Sequence, residues 1–347
     1  MSFDLEKAEK ELGQKSELDR IRDLLGSRRF DPLVEPPELR AVYRIGNTVV
    51  STPGNLLTIT AQSKTGKTSF FGAMIASVIG PTDSNGDTLT VQSSNPNSWA
   101  LVHFDYEQSK RDHWKLFEQV KRRAGIKEFP PWLISHNFTG VAPRDCVSAL
   151  ELMLEDAKAQ FGGIHSVLLD GYADLVGDVN DAGESNLLVS QLHAWAGKYD
   201  CHVAGILHFN PNSEKARGHL GSQLERKSES NLTLTKDGDI TVLYSEKQRG
   251  APIFKANGPR FRWDDDKGMH VTCENIATAR EAEQKERQRC ARDDVFGERP
   301  AMRYSDLIVA IRDGLKVSEA TAERRLSTWR KLGLVEKQAA GLWVKGG

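Results

Sequence analysis

One segment combines the residue types that bind phosphate, and it reads AQSKTGKTSF from Ala61 to Phe70. It follows the apolar run LLTIT and opens a helix with apolar periodicity, which is the strand–loop–helix context that a phosphate loop requires. Gly66 would allow close approach of the backbone, Lys67 could reach the β and γ phosphates of a nucleotide, and Thr68 could ligate Mg²⁺. Ala61 stands where the usual first glycine would be, and we expect it to be tolerated because a strand-ending residue needs no positive φ.

The pattern predicts a nucleotide site, with a chance loop as the alternative. The candidate nucleotide-binding residues are Ala61, Gln62, Ser63, Lys64, Thr65, Gly66, Lys67, Thr68 and Ser69.

Acidic residues end two further apolar runs, where a metal or a water molecule could be held. SVLLD ends in Asp170, and a carboxylate at the end of a buried strand beside a phosphate loop can organise Mg²⁺ together with Thr68. WALVHFDYEQSK places Glu107 just beyond another strand, where it could act as general base, with Asp105 as the second candidate. The alternatives are that Asp170 caps the following turn and that Glu107 stabilises a helix N-terminus.

Polar and cationic residues end two more apolar runs. GILHF carries His208, which could sense a γ-phosphate or could be an ordinary strand-end histidine. The polar stretch NPNSEKARGHLGSQLERKSES follows and predicts either a mobile loop or a plain surface connection. YSEKQRGAP places Lys247 and Arg249 two residues apart at a strand end. The pair could face one growing phosphate charge, or it could be solvated.

The candidate site residues can act together only if a sheet brings the ends of their strands to one edge. Apolar runs without polar alternation predict buried parallel strands at 56–60, 99–106, 166–170 and 202–209. Helical patterns lie between them at 67–79, 109–124, 144–160 and 184–199. The alternation predicts an α/β domain with a doubly wound, mainly parallel sheet. Alternating runs at 232–249 and 261–271 predict antiparallel edge hairpins.

Taken together, the motifs resemble those of the RecA-like ATPases, specifically the hexameric replicative helicases of the DnaB and plasmid RepA type. The resemblance covers about residues 40–270 through AQSKTGKT, FDYEQS, SVLLD, LHFN and KQRG. It implies an ATPase that uses ATP and Mg²⁺, with Glu107 activating water. It also implies a homo-oligomer, such as a hexamer, in which Lys247 and Arg249 reach a neighbouring active site and Arg217 is a rival arginine finger. The loops after His208 would line a central channel and contact single-stranded DNA.

A separate small unit follows the charged stretch 277–294. An apolar helix at 304–313 precedes KVSEATAERRLSTWRKLGL, in which Ser318 is a candidate N-cap, and LVEKQAAGLWVKG then predicts a short hairpin. This order resembles a winged helix, with Leu326 and Trp329 of its second helix facing the core. The residues that would contact DNA are Arg324, Arg325, Thr328, Arg330 and Lys331. A winged helix can equally be a protein-interaction module.

Composition sets wider limits. Of 347 residues, 39% are hydrophobic and 27% charged, which is ordinary for a soluble protein. The four cysteines lie far apart without a CxxC pair, so we expect no zinc site or disulfide framework and a cytoplasmic location. No apolar run approaches the ~18 residues of a membrane span. The charged N-terminus does not resemble a secretory signal.

Charge and pattern together predict four segments. The net charge is −1, yet 280–347 holds 15 Lys/Arg against 11 Asp/Glu, a mildly basic tail that suits a polyanionic partner. The expected segments are a helical and extended arm at 1–40, the ATPase domain at 41–275, a charged linker at 276–298 and the winged-helix-like domain at 299–347.

Two functions from different classes follow. The first is an oligomeric ATPase that couples hydrolysis to DNA binding or translocation, as a replicative helicase of a mobile element would. The alternative is an ATP-dependent regulatory or assembly protein, held on DNA by the winged helix and without unwinding activity. A small-molecule kinase is disfavoured, because the sequence offers no recognisable lid or acceptor pocket and a kinase would not need the basic tail.

Overall fold

The computed structural model describes residues 17–35, 38, 40–81, 86–210, 216–273, 276–338 and 341–346. The chain divides into two units, residues 1–40 and residues 41–347. In the first, helix α1 spans Glu17–Ser27 and exposes its leucines and its isoleucine to solvent. The rest of the predicted helical arm, residues 1–16, lies outside the described residues.

Among its described residues, the second unit contains twelve strands before its C-terminal part, with helices between some of them. In chain order they are β1 (Tyr43–Ile45), β2 (Thr48–Ser51), β3 (Leu56–Ala61), β4 (Val91–Gln92), β5 (Ala100–Asp105), β6 (Leu133–Asn137), β7 (Ile164–Asp170), β8 (His202–His208), β9 (Ser230–Asp237), β10 (Ile240–Gln248), β11 (Arg260–Asp264) and β12 (Met269–Cys273).

Nine of these strands form one sheet, in the order β12-β11-β10-β9-β3-β8-β7-β5-β6. The six strands from β9 to β6 are parallel, whereas β10, β11 and β12 run antiparallel to their neighbours. Strands β2, β1 and β4 form a small separate sheet. Strands β3, β5 and β7 are buried along their whole length, as expected for parallel strands that are covered on both faces.

Helices cover both faces of the large sheet. They are α2 (Lys67–Ile79), α3 (Lys110–Ala124), α4 (Pro143–Phe161), α5 (Ala182–Lys198) and α6 (Gly218–Lys227). One apolar core contains residues of α2 and α3, and a second contains residues of α4, α5 and α6. The expected α/β class, with a doubly wound, mainly parallel sheet and antiparallel edge hairpins, is confirmed.

Two features of this unit differ from expectation. The stretch after His208 was expected to be a mobile loop or a plain surface connection. Its residues 211–215 lie outside the described residues, whereas Gly218–Lys227 forms α6, in which Leu220 and Leu224 are buried on one face. Strand β6 was missed because LISHN is short and half-buried at the sheet edge, so it lacks the apolar run that marks the inner strands.

The C-terminal part has its own apolar core. Its elements are α7 (Ile276–Phe296), β13 (Ala301–Met302), α8 (Tyr304–Leu315), α9 (Glu319–Lys331), β14 (Val335–Lys337) and β15 (Trp343–Lys345). Ser318 caps α9 by accepting a hydrogen bond from Thr321 N, as predicted. The small antiparallel sheet, in the order β13-β15-β14, is compatible with the expected winged-helix order. Val295 and Phe296, at the end of the stretch expected to be a linker, belong to this core.

Candidate functional site

The phosphate loop lies between the end of β3 and the start of α2. Ala61 is buried in β3 and pairs with His208 and Leu234, and it is not among the residues with positive φ. The alanine is therefore compatible with the loop. Gly66 has a φ of 81°, a conformation that favours glycine, and a Cβ there would also lie close to Phe261 Cε2, at 3.1 Å.

Hydrogen bonds fix the loop in this conformation. The hydroxyl of Thr65 donates to the carbonyl oxygen of Gln62 at 2.8 Å, and the hydroxyl of Thr241 donates to the carbonyl oxygen of Thr65 at 3.0 Å. Ser69 Oγ lies 2.9 Å from Nδ1 of His270 on β12. The antiparallel edge strands thus hold the loop from outside, which the sequence pattern did not indicate.

Strand pairing gathers the remaining predicted groups at the same edge. Ala61 pairs with His208, and Asp105 pairs with Asp170, so four strands end beside the loop. In an open parallel sheet this carboxyl edge is the usual place for a ligand. We call these strand ends, with the phosphate loop, the carboxyl edge.

Lys67, His208 and Glu107 are in direct contact there. Lys67 Nζ lies 2.8 Å from His208 Nδ1 and 2.9 Å from Nε2, and His208 Nε2 lies 2.7 Å from Glu107 Oε1. We assign His208 Nε2–H as donor to the carboxylate, which leaves Nδ1 to accept from the ammonium group. Burial lowers the pKa of Lys67, and the carboxylates of Glu107 and Asp170 oppose this. The hydrogen bond from His208 lowers the pKa of Glu107.

Asp170 and Thr68 form the candidate metal site. The hydroxyl of Thr68 donates to Asp170 Oδ2 at 3.3 Å, while Asp170 Oδ1 is buried without a partner. Burial, and then the charges of Asp105 and Glu107, raise the pKa of Asp170 to about 7. A hydroxyl and an unsatisfied carboxylate oxygen fit Mg²⁺, which takes oxygen ligands and keeps positions for phosphate and water. Within the described ranges no cluster of three or more His, Cys, Asp or Glu side chains could hold a metal by itself.

Asp105, the second candidate for the base, is fully hydrogen-bonded. Its two oxygens accept from the backbone N–H groups of Glu107 and Gln108, from the Gln108 amide and from His113. Among the described residues, the Glu107 carboxylate accepts a hydrogen bond from His208, and its side chain is 37% exposed. The geometry therefore favours Glu107 over Asp105 as the group that can reach a water molecule.

The structure does not bring Lys247 and Arg249 to their own phosphate loop. Lys247 Nζ donates to the carbonyl oxygens of Glu225 and Arg226 at 2.9 and 2.8 Å, and Arg249 donates to Asn55 Oδ1 at 3.2 Å. Asn55 directly precedes β3, so the pair lies at the amino edge, opposite the loop. Arg217 lies instead at the carboxyl edge, where its backbone N–H donates to the carbonyl oxygen of His208, and its side chain is exposed.

On α9, Leu326 and Trp329 are buried as predicted. Four of the five predicted DNA-contacting residues are exposed: Arg324, Thr328, Arg330 and Lys331. Arg325 differs, because it is half-buried and donates to Gln288 on α7 at 2.9 Å. Trp329 Nε1 donates to the same oxygen, so Arg325 helps to fasten α9 to α7.

The comparisons with known proteins add little to this geometry. No protein-family model matches the chain, and no curated protein sequence does either. Among the solved structures that match is one described as an ATPase domain. It has 14% identity and a TM-score of 0.44 over 63% of this chain and 85% of that chain. At these values the match carries no argument about function. No helix in the described ranges is long and apolar enough to cross a membrane.

Proposed function

We propose that this chain is an oligomeric, Mg²⁺-dependent P-loop ATPase that couples ATP hydrolysis to DNA binding or translocation. The observation that supports it most directly is the contact chain Lys67–His208–Glu107 beside the Thr68–Asp170 pair. A cation, a polar relay, a carboxylate base and an oxygen metal site lie together at the end of a preformed phosphate loop. Phosphoryl transfer to water requires these groups and little other covalent chemistry.

Each side chain has a separate role in the proposed reaction. The loop amides and Lys67 bind the β and γ phosphates. The ammonium group of Lys67 then contacts phosphate oxygens in place of His208. Thr68 and Asp170 would hold Mg²⁺, which would neutralise phosphate charge. Glu107 accepts the proton of the attacking water. His208 is bonded to both Lys67 and Glu107, so it can report the γ-phosphate to the base and to the segment that follows β8.

The cation that stabilises the transition state would come from another subunit. Lys247 and Arg249 lie at the amino edge, so they can serve only a neighbour's carboxyl edge, as in a ring of identical subunits such as a hexamer. Arg217 is the alternative finger, because its backbone lies at the carboxyl edge. Single-stranded DNA would contact the segment after His208, and duplex DNA would contact the exposed basic residues of α9.

The first test is ATP hydrolysis with Mg²⁺, measured with and without single-stranded DNA, together with solution mass with and without ATP. We expect hydrolysis, stimulation by DNA and assembly. Lys67→Ala should lose hydrolysis and weaken ATP binding, whereas Lys115→Ala, at an exposed lysine paired with Asp112, should retain both. A wild-type protein that binds no ATP would contradict the proposal.

An ATP-dependent regulatory protein on DNA is the second candidate, and it is favoured by the separate core and the exposed basic face of α9. An unwinding assay on a forked duplex distinguishes the two. Strand separation that depends on ATP supports the helicase, and ATP-dependent DNA binding without separation supports the regulatory protein.

A further inference from the structure

The turn that carries Glu107 is held by one buried carboxylate. Asp105 is the last residue of β5, and its side chain is completely buried. Its Oδ1 accepts from the backbone N–H groups of Glu107 at 3.1 Å and Gln108 at 3.0 Å. Its Oδ2 accepts from the Gln108 amide at 2.9 Å and from His113 Nδ1 at 2.8 Å. Burial acts to raise the pKa of Asp105, but these hydrogen bonds outweigh it, so that pKa lies below its ordinary value.

The carboxylate of Asp105 does not serve as the N-cap of the following helix, α3. Helix α3 begins at Lys110 and has its own N-cap, Ser109, whose side chain accepts from Asp112 N. What Asp105 holds is the short turn at 106–109 between β5 and α3. The other side of that turn is fixed as well, because the carbonyl oxygen of Gln108 accepts from Asn137 Nδ2 and Thr139 Oγ1. The side chain of Glu107 projects from this fixed turn to His208.

A second group of side chains keeps the carboxylate of Asp105 in place. Ser135 Oγ lies 3.1 Å from His113 Nε2 and 2.8 Å from His103 Nδ1. His103 is buried, and burial lowers its pKa to about 3, so its ring is neutral. These contacts are satisfied when His103 donates to Ser135, Ser135 donates to His113 Nε2, and His113 Nδ1–H donates to Asp105, which is the assignment we adopt. Residues from β5, β6 and α3 thus support one carboxylate.

We propose that Asp105 is a positioning residue for the base Glu107, and that His113, backed by Ser135 and His103, holds Asp105 in the required rotamer. This inference rests on the ATPase function proposed above. A general base must lie within hydrogen-bond reach of the proton that it takes. The four groups that donate to Asp105 belong to Glu107, Gln108 and His113, which lie outside the phosphate loop. Losing these hydrogen bonds should therefore affect turnover and leave nucleotide binding intact. A displacement of about 1 Å can cost roughly 10²-fold in rate.

The test compares single-turnover ATP hydrolysis with ATP affinity. Asp105→Asn keeps one acceptor oxygen but replaces the other with an NH₂ donor. That donor would face either His113 or the backbone N–H groups of Glu107 and Gln108, which are donors themselves. We expect a loss of roughly 10–100-fold in the hydrolysis rate and a change of less than about threefold in ATP affinity. Asp87→Asn is the matched control, because Asp87 also accepts from two backbone N–H groups, those of Leu89 and Thr272, away from Glu107. It should keep the wild-type rate.

A double-mutant cycle separates positioning from general stability. In a Glu107→Gln background, Asp105→Asn should cause little further loss, because its effect acts through Glu107. An equal loss in both backgrounds, or a wild-type rate in folded Asp105→Asn, would overturn the positioning role. Wild-type protein that binds ATP without hydrolysing it would instead contradict the ATPase function, and this inference with it.

His113 gives a second route if Asp105→Asn does not fold. His113→Ala removes the donor to Asp105 and should slow hydrolysis without changing ATP affinity. His113→Asn places an N–H donor close to the position of Nδ1 and should restore most of the rate. If the alanine and asparagine variants both hydrolyse ATP at the wild-type rate, or both lose it equally, the role of His113 is wrong.

Discussion

At the carboxyl edge, His208 lies within hydrogen-bond distance of both Lys67 and Glu107, whereas at the amino edge Lys247 and Arg249 donate to neutral oxygen atoms. Strand β3 separates the two places. Its residue Leu57 pairs with Ser230 at the amino edge, and Ala61 pairs with Leu234 four residues later, about 13 Å along the strand.

This difference explains why the proposed site needs a second subunit. In the proposed function, the groups at the carboxyl edge would bind a nucleotide and activate water. Among the described residues, the exposed cations at the amino edge donate to carbonyl and amide oxygens and to no carboxylate, so in the proposed assembly they could turn to a phosphate. Within one chain the distance prevents them from reaching the loop. The proposed head-to-tail assembly would place one edge against the other and complete the site.

The largest expected effect tests the carboxyl edge. Glu107→Gln should lower ATP turnover by roughly 10²–10⁴-fold, because it removes the base. ATP binding should remain, since Lys67 and the loop are unchanged. Turnover and equilibrium ATP binding on the same preparation check this, with Glu118→Gln on the outer part of α3 as control. Normal turnover in Glu107→Gln would show that another group activates the water.

The next effect tests the amino edge. Arg249→Ala should lower turnover by roughly 10²–10³-fold by removing a donor to the transition state. Mixing Arg249→Ala subunits with Lys67→Ala subunits should restore part of the activity, because some interfaces then combine an intact loop with an intact arginine. Co-assembly is confirmed by mass. If co-assembled subunits show no recovery, Arg249 does not act in trans, and Arg217→Ala should then be tested for the larger loss.

A smaller effect concerns two adjacent arginines of α9. Arg324→Glu should weaken duplex DNA binding and lower the salt slope by about one for each lost phosphate contact, without a change in melting temperature. Arg325→Glu should also lower the melting temperature, because Arg325 fastens α9 to α7 through Gln288. Anisotropy at two salt concentrations and thermal unfolding measure both. If neither variant changes DNA affinity, this unit is a protein-interaction module.

Removal of the C-terminal part extends this test. A chain that ends at Cys273 should lose DNA affinity more than basal ATP hydrolysis, because the candidate nucleotide site lies entirely before that residue. A cut at residue 295 would be less informative, since Val295 and Phe296 belong to the C-terminal core and its supporting helix α7 would remain unpaired.

Features that depend on neighbouring residues could be predicted from the sequence, whereas contacts between distant residues could not. The inner strands and the helices after them follow from apolar runs and periodicity, and α2 begins and ends at the predicted residues. The carboxyl-edge groups follow because parallel strands end at one edge. In contrast, the contact of Asp105 with His113 joins a strand to a helix across a turn. Neither helical nor strand periodicity in the sequence indicates such a contact. The hydrogen bond between His270 and Ser69 joins residues that are 201 positions apart in the sequence. It depends on how the edge hairpin packs against the phosphate loop, which local sequence patterns do not indicate.

The smallest expected effect is a pH dependence of stability at the amino edge. His202, at the start of β8, is fully buried, and burial lowers its pKa to about 3. Below its ordinary pKa near 6.5 the unfolded chain binds a proton that the folded chain does not, so the free energy of unfolding should fall as pH drops from 7 to 5. His103 contributes with the same sign. His202→Gln should therefore reduce this fall without abolishing it. His219→Gln, at an exposed histidine, should keep the wild-type dependence. Urea unfolding at both pH values measures the difference, and an unchanged fall in His202→Gln would show that His202 does not stay neutral in the folded protein.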